Sequence, residues 1–139
     1  MIWPAALTTM IVLAVVVIVA VAREPGPRAV DVALGFEHAW DRLDFDAVYR
    51  MCGSELRDGL TRGDYVTTKR AAYAPRAAAG VGRRVADATA EEVLQARDTA
   101  VVCTRLVLKD GCVVRNEIRL VRRSGEWLVV AYALRPAAA

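Results

Sequence analysis

A small set of side chains in this 139-residue sequence could form a binding pocket. If the strands pair as their turns suggest, Arg105 and Asn116 are adjacent on the inner face of a sheet, with Trp127 on the same face. A guanidinium beside an amide suits a carboxylate or phosphate, and an indole beneath them suits an apolar body. Asp41 and Tyr49, from the preceding helices, are the other pocket candidates. In the alternative interpretation, the Arg105 side chain reaches water at the rim of the pocket, and Asn116 only holds that side chain in place.

The same residue types limit the chemistry. The sequence has three cysteines and one histidine, His38, without a Cys-x-x-Cys pair, so a zinc site cannot be completed and no metal is expected. His38 is predicted to be solvated, and Cys52, Cys103 and Cys112 to be buried free thiols. No Ser-His-Asp, Cys-His or carboxylate-pair arrangement is evident. The sequence therefore predicts no catalytic residue and no cofactor.

Composition bounds the class of protein. The length suits one domain, and the net charge of +3 comes from arginines dispersed along the chain. Aromatic residues do not alternate with these arginines, which excludes a typical nucleic-acid-binding face. The richness in Ala, Val and Arg indicates a bacterial chain from a GC-rich genome.

The first 22 residues, Met1–Ala22, contain no charged side chain and are long enough to cross a bilayer. They predict a single-pass anchor in the cell membrane, with membrane lipid as its partner. The alternative is a cleaved signal segment ending at Ala20-Val21-Ala22. Arg23 and Arg28 follow the span, which would hold the domain in the cytoplasm. The common bacterial arrangement of a short anchor and a displayed domain favours the extracytoplasmic side, and the two interpretations stay open.

After a linker at residues 23–28, residues 29–136 predict one α+β domain with three helices and four antiparallel strands. Helix one begins with Pro27 in its first turn. Asp44 and Thr61 are predicted to cap helices two and three, and Pro75 to end helix three. The strands are predicted over residues 83–94, 99–109, 112–123 and 126–135.

Asp110-Gly111 and Ser124-Gly125 both predict two-residue hairpin turns. The resulting register places one apolar set on the core face with Arg105 and Asn116, namely Val101, Cys103, Val107, Val114, Ile118, Leu120, Trp127, Val129 and Ala131. The opposite face is also apolar in part, which favours a partner surface. We therefore predict a homodimer contact there, with the candidate residues Leu106, Leu128, Val130 and Tyr132. The alternative is a partly exposed face covered by arginine stems.

Three stretches resemble a known family: Ala39–Tyr49 (AWDRLDFDAVY), Leu56-Arg57 followed by Thr61–Val66 (TRGDYV), and Gly125–Val130 (GEWLVV). They are similar to the helix junction, the approach to helix three and the last-strand start of the nuclear-transport-factor-2-like superfamily, which shares the cystatin-like and SnoaL-like cone. The resemblance implies a curved sheet roofed by helices, of the membrane-anchored bacterial type, whose mouth can hold a small apolar ligand; Arg105 and Asn116 add the possible acidic ligand. The resemblance does not indicate which activity, if any, the chain has.

Two functions follow as hypotheses. The first is a membrane-tethered, non-catalytic binding or assembly domain with a small apolar cavity. The second is a cone-type isomerase, cyclase or hydratase acting on a small molecule. An isolated Asp, Glu or His deep inside the cone would favour the enzyme.

Overall fold

The computed structural model describes residues 26–80 and 82–135. The predicted membrane anchor, Met1–Ala22, lies outside these described residues. Within them, the helices are too short or too polar to cross a membrane.

Three α-helices precede the sheet: α1 (Ala29–Asp41), α2 (Phe45–Met51) and α3 (Arg62–Ala78), with a short 3-10 turn at Ser54–Leu56 between the last two. Asp44 accepts a hydrogen bond from the Ala47 N–H at 3.1 Å, and Thr61 accepts one from the Asp64 N–H at 3.3 Å. Both predicted caps are therefore confirmed, because each side-chain oxygen satisfies an amide that the first helical turn leaves unpaired.

Two helix boundaries differ from prediction. Arg28 is the cap residue of α1, so Pro27 lies before the helix rather than in its first turn. Helix α3 continues through Pro75 to Ala78. Proline removes one hydrogen bond to the preceding turn, and here that turn is exposed, so water can satisfy the carbonyl that is left.

The four strands form one antiparallel sheet in chain order: β1 (Val85–Gln95), β2 (Thr99–Leu108), β3 (Val113–Arg123) and β4 (Glu126–Arg135). Helix α1 packs across all four strands, and the buried cluster lies between them. The predicted α+β arrangement of three helices on an antiparallel sheet is confirmed.

The first hairpin has a different turn from the one predicted. Its loop has three residues, closed by a 2.8 Å bond from the Leu108 N–H to the Cys112 carbonyl. Gly111 takes the left-handed conformation, with φ +87°, and Asp110 does not. A three-residue loop with glycine at the left-handed position is a common hairpin connection, and it moves the register by one residue. Arg105 consequently pairs with Arg115, and Thr104 with Asn116.

A one-residue shift exchanges the two faces of a strand. The predicted core face was therefore wrong for β2, where the structure turns Val101, Cys103, Arg105 and Val107 outward. The residues that face α1 instead are Ala100, Val102, Thr104 and Leu106, all of which are buried. On β3 and at the start of β4 the prediction was right, since Ile118, Leu120, Trp127 and Val129 are buried in the core.

The second hairpin is the two-residue turn that was predicted, with φ +52° at Ser124 and +83° at Gly125. Leu120 pairs with Val129 as expected, but a bulge follows, so Tyr132 rather than Ala131 lies opposite Ile118. The extra residue moves Tyr132 from the outer face to the inner one.

These shifts also change the predicted dimer face. Leu106 is buried under the helices, and Tyr132 packs against Phe36 with 5.5 Å between ring centroids. Val130 lies at the bulge, close to Gly53. Leu128, which alternates with two buried neighbours, keeps its outward position. A homodimer through this face stays a prediction, with Leu128 as its remaining candidate.

The outer face carries ion pairs rather than a continuous apolar patch. Glu91 bridges Arg115 at 2.8 Å and Arg105 at 3.6 Å. Glu117 likewise bridges Arg119 at 3.0 Å and Arg135 at 2.7 Å. Each carboxylate separates two arginines that would otherwise repel each other across the ladder.

All three cysteines are free thiols, as predicted. Cys52 and Cys103 are buried, but Cys112 is exposed because it lies at the tip of the first hairpin. Its predicted burial was wrong.

Candidate functional site

An aromatic groove opens where the end of α1 meets α3 and β4. Its apolar lining comes from Trp40, Leu43, Tyr73 and Tyr132, and its volume is about 300 Å³. The Trp40 ring lies 5.6 Å from that of Tyr73 and 6.2 Å from that of Tyr132. Tilted rings at these distances attract one another, so they form a fixed surface for a planar group.

Trp40 also contributes a polar group. Its indole Nε1 is buried and has no hydrogen-bond partner in the described part of the chain. An indole N–H only donates, and most buried donors in folded proteins have an acceptor. Trp40 lines the groove, but its nitrogen is closed to solvent, so a bound acceptor lowers the free energy only if it displaces the side chains that cover this donor.

The rim of the aromatic groove is mainly positive. Arg76 lies over the Tyr73 ring, 5.3 Å from its centroid, and forms no ion pair within the described residues. Arg84 lines the same groove and reaches Asp110 at 3.5 Å, a long exposed contact. Both guanidinium groups are thus available to an anionic ligand.

Asp41 lines the groove but has a structural task. Its Oδ1 accepts hydrogen bonds from the backbone N–H groups of Arg84, at 2.7 Å, and Val85, at 3.1 Å. Its carbonyl accepts a third from the Arg83 N–H at 2.8 Å. Asp41 therefore joins the end of α1 to the start of β1, and so holds both sides of the groove in position.

A buried carboxyl group lies one helical turn before Trp40. Glu37 is only 7% exposed, and its Oε1 accepts from Thr104 Oγ1 at 2.7 Å and Asn116 Nδ2 at 2.8 Å. No hydrogen bond to Oε2 is formed within residues 26–80 and 82–135. This carboxyl network fastens α1 to β2 and β3, and the other carboxyl oxygen accepts no hydrogen bond from the described residues.

With this geometry, the chain can be compared with known structures. A candidate NTF2-like transpeptidase from Campylobacter jejuni matches it with a TM-score of 0.54 and 21% identity, over 71% of this chain and 94% of that protein. The chain has a nuclear-transport-factor-2-like (NTF2-like) fold. A protein from Kribbella flavida is 16% identical, with a TM-score of 0.43, over 76% of this chain and 85% of its own. No protein-family model and no curated protein matches the chain.

The predicted pocket residues do not meet inside the NTF2-like cone. Asn116 faces inward, but its partner is Glu37. Arg105 is on the outer face with Glu91, so its predicted place in the pocket was wrong. Tyr49 lies between the helices, where its hydroxyl donates to the Leu60 carbonyl at 3.3 Å.

Trp127 does lie inside the NTF2-like cone, at 7% exposure. It lines a different groove, however, beside Pro27 and Val30 at the start of α1. Of the predicted pocket residues, only Asp41 lines the aromatic groove.

Sequence reasoning missed Glu37, Arg76 and the groove side of Tyr73. The sequence did contain a signal for the buried carboxyl group of Glu37. Glu37 interrupts the apolar stripe of α1 between Ala33 and Trp40, and a charged residue there needs a buried partner. The sequence contained no such signal for Arg76, since the predicted helix ended before this residue. Among the described residues, no three His, Cys, Asp or Glu side chains come together as a metal site would require.

Proposed function

We propose that this chain is a membrane-tethered, non-catalytic domain that binds a small ligand in the aromatic groove. The ligand has a planar apolar body and an acidic group. The tether is the apolar segment Met1–Ala22.

The buried indole N–H of Trp40 is the observation that carries the proposal. Leaving a buried donor without an acceptor costs about 1–3 kcal/mol. A ligand oxygen that displaces the atoms covering this nitrogen would recover that free energy, while Tyr73 and Tyr132 would cover the ligand's planar faces.

The acidic group of the ligand is proposed from the charged side chains at the rim of the aromatic groove. Arg76 and Arg84 supply two guanidinium groups, whereas the Asp41 Oδ1 is already occupied by two backbone N–H groups. A guanidinium binds a carboxylate through charge-assisted hydrogen bonds, which are about twice as strong as neutral ones. The groove therefore favours an acid over its neutral analogue.

Non-catalytic binding agrees with the side chains at the groove. A proton-transfer reaction needs a base within hydrogen-bond reach of the ligand, and Asp41 is held by the backbone of β1. The Campylobacter jejuni protein is named a transpeptidase. At 21% identity, its similarity to this chain supports a shared fold and not a shared activity.

The test compares 2-naphthoate with 2-naphthamide by isothermal titration calorimetry. These probes share a planar body and differ in charge. We expect the acid to bind at least tenfold more tightly, and Arg76→Gln and Arg84→Gln each to reduce that preference. Arg70→Gln, on the same helix as Arg76 but outside the groove, is the matched control and leaves it unchanged. Equal affinity for the two probes would contradict the proposal.

A cone-type isomerase, cyclase or hydratase is the second candidate, and Glu37 favours it. Its carboxyl group is buried with one oxygen outside any hydrogen bond of the described residues, as a general base needs once a substrate enters the cone beside it. In deuterium oxide, such a base would exchange the acidic C–H protons of 2-tetralone, and Glu37→Gln would stop this exchange. Exchange no faster than in buffer alone would reject the enzyme and leave the binding proposal standing.

The tether is tested separately, with the full chain expressed in a bacterial host. We expect the chain to stay in the membrane fraction after an alkaline carbonate wash, with its mass including residues 1–22. A soluble chain that begins near Arg23 would instead assign this segment as a cleaved signal.

The side of the membrane is tested with a membrane-impermeant maleimide. Cys112 is exposed, so it reports which compartment holds the domain. Labelling of intact spheroplasts, absent in Cys112→Ser, is expected for an extracytoplasmic domain. Labelling only after lysis would place the domain in the cytoplasm.

A further inference from the structure

A second groove lies at the other end of α1, beside Trp127. It is lined by Pro27, Arg28, Val93, Gln95, Arg122 and Trp127 and has a volume of ≈ 270 Å³. Eleven residue steps along α1 separate Val30, which borders this groove, from Asp41 in the aromatic groove, a distance of about 16 Å. The two grooves are therefore separate sites, and the ligand of the first does not account for the second.

The side chains of this second groove carry positive charge over an indole. The Arg122 guanidinium lies over the Trp127 ring, 6.0 Å from its centroid. Arg28 is paired with Asp31 at 3.0 Å, but no carboxylate is among the lining residues. Arg122 forms no ion pair within the described part of the chain. The groove thus offers a guanidinium, an amide and an aromatic ring to an anionic group.

The position of the groove along the chain indicates where that anion comes from. Gly26 borders it, and only residues 23–25 separate Gly26 from the apolar segment that ends at Ala22. Four residue steps span at most about 14 Å. A chain anchored through Met1–Ala22 therefore holds this groove at the level of the lipid headgroups, where Arg and Trp side chains are favoured.

We propose that the groove beside Trp127 binds the phosphate of an anionic phospholipid headgroup. This inference rests on the proposed tether. Arg122 pairs with the phosphate, while Val93 and Trp127 contact the glycerol and upper acyl carbons. The contact fixes the orientation of the domain on the membrane and turns the aromatic groove away from the bilayer.

The experiment places the photo-crosslinker p-benzoylphenylalanine at position 93 of the full chain. Val93 is 44% exposed and borders the groove, whereas Leu134, 75% exposed at the far end of β4, is the control position. The chain is reconstituted into vesicles of phosphatidylcholine alone and of a phosphatidylcholine–phosphatidylglycerol mixture. Lipid adducts are identified by mass spectrometry after illumination.

We expect phosphatidylglycerol adducts at position 93 and none at position 134. One arginine near an anionic surface contributes about 1 kcal/mol, so Arg122→Gln should lower the adduct yield about fivefold. Arg122→Lys should keep most of the yield, and Arg70→Gln all of it. Near-ultraviolet circular dichroism of each variant confirms that the fold is unchanged.

Four results would overturn the inference. Adducts with phosphatidylcholine and phosphatidylglycerol in proportion to their abundance would show contact without headgroup recognition. Loss of the lipid adducts in the presence of dissolved glycerol phosphate would assign the groove to a soluble phosphate instead of a lipid. Failure of the chain to sediment with either vesicle would reject the tether and this inference together, whereas sedimentation without adducts at position 93 rejects this inference alone.

Discussion

Replacing Glu37 tests whether the carboxyl network joins α1 to the sheet. Glu37→Leu leaves the hydroxyl of Thr104, which is 0% exposed, without its acceptor. Asn116 is only partly buried, so water can replace the lost acceptor there. The change therefore strands one fully buried donor and removes two hydrogen bonds.

The magnitude follows from these contacts. A stranded buried donor costs about 1–3 kcal/mol, and a typical hydrogen bond contributes about 1 kcal/mol. Glu37→Leu should thus lower the free energy of unfolding by about 2–3 kcal/mol, part of the loss being offset by the apolar leucine. Thr104→Val should cost about 1 kcal/mol. The double variant should cost about 1–1.5 kcal/mol less than the sum, because no hydroxyl is then stranded.

Urea unfolding followed by tryptophan fluorescence measures all four proteins of this cycle. With a slope of about 1.5 kcal/mol per molar urea, Glu37→Leu should move the midpoint by more than about 1 M. Thr89→Val, on the exposed side of β1, is the matched control and should stay within about 0.5 kcal/mol of wild type. Strictly additive costs, or a Glu37→Leu protein as stable as wild type, would refute the network.

Three further predictions concern thiols, pH and the first hairpin. A thiol reagent should label Cys112 first and Cys52 only on unfolding, since burial raises the pKa of Cys52 to about 11. Hydrogen bonds from Arg123 lower the pKa of Glu55 to about 2, so this pair should stabilise the fold above pH 4.5 and lose its effect as the pH falls toward 2. Carboxyl NMR titration should show this midpoint, and its return toward 4.5 in Arg123→Gln. Gly111→Ala should cost about 1–2 kcal/mol in urea unfolding, because φ is +87° while the space around it is open.

Each of these has a result that contradicts it. Equal labelling rates for all cysteines in the native protein would show that Cys52 is accessible. A Glu55 midpoint that does not respond to Arg123→Gln would assign the low pKa to another cause. Wild-type stability of Gly111→Ala would mean that Gly111 does not hold a positive φ in the folded protein, because both the two-residue turn and the three-residue loop require one there.

The fold could be predicted from local signals. Asp44 and Thr61 mark helix starts through their own hydrogen bonds, and Ser124-Gly125 specifies its turn through the positive φ of both residues. Asp110-Gly111 was ambiguous, because a glycine after aspartate suits both a two-residue turn and a three-residue loop. The alternation on β2 could not decide between them, since both of its faces are apolar.

The candidate site was less predictable, because it depends on contacts between distant segments. The one-residue shift at Gly111 moved Arg105 out of the cone, and the bulge at Val130 brought Tyr132 into the groove. Bulges leave no clear mark in a single sequence. Trp40 belongs to the apolar stripe of α1, and its unpaired N–H becomes visible only when all its neighbours are placed.

The indole N–H resonance of Trp40 tests the central claim most directly. It is assigned in the full chain by its loss in Trp40→Phe, and then followed by NMR during titration with 2-naphthoate. A ligand in the aromatic groove should shift this resonance downfield as an acceptor reaches it, while the resonance of Trp127 stays in place. Saturable binding of 2-naphthoate with an unchanged Trp40 resonance would contradict the account, because the ligand would then occupy another part of the molecule.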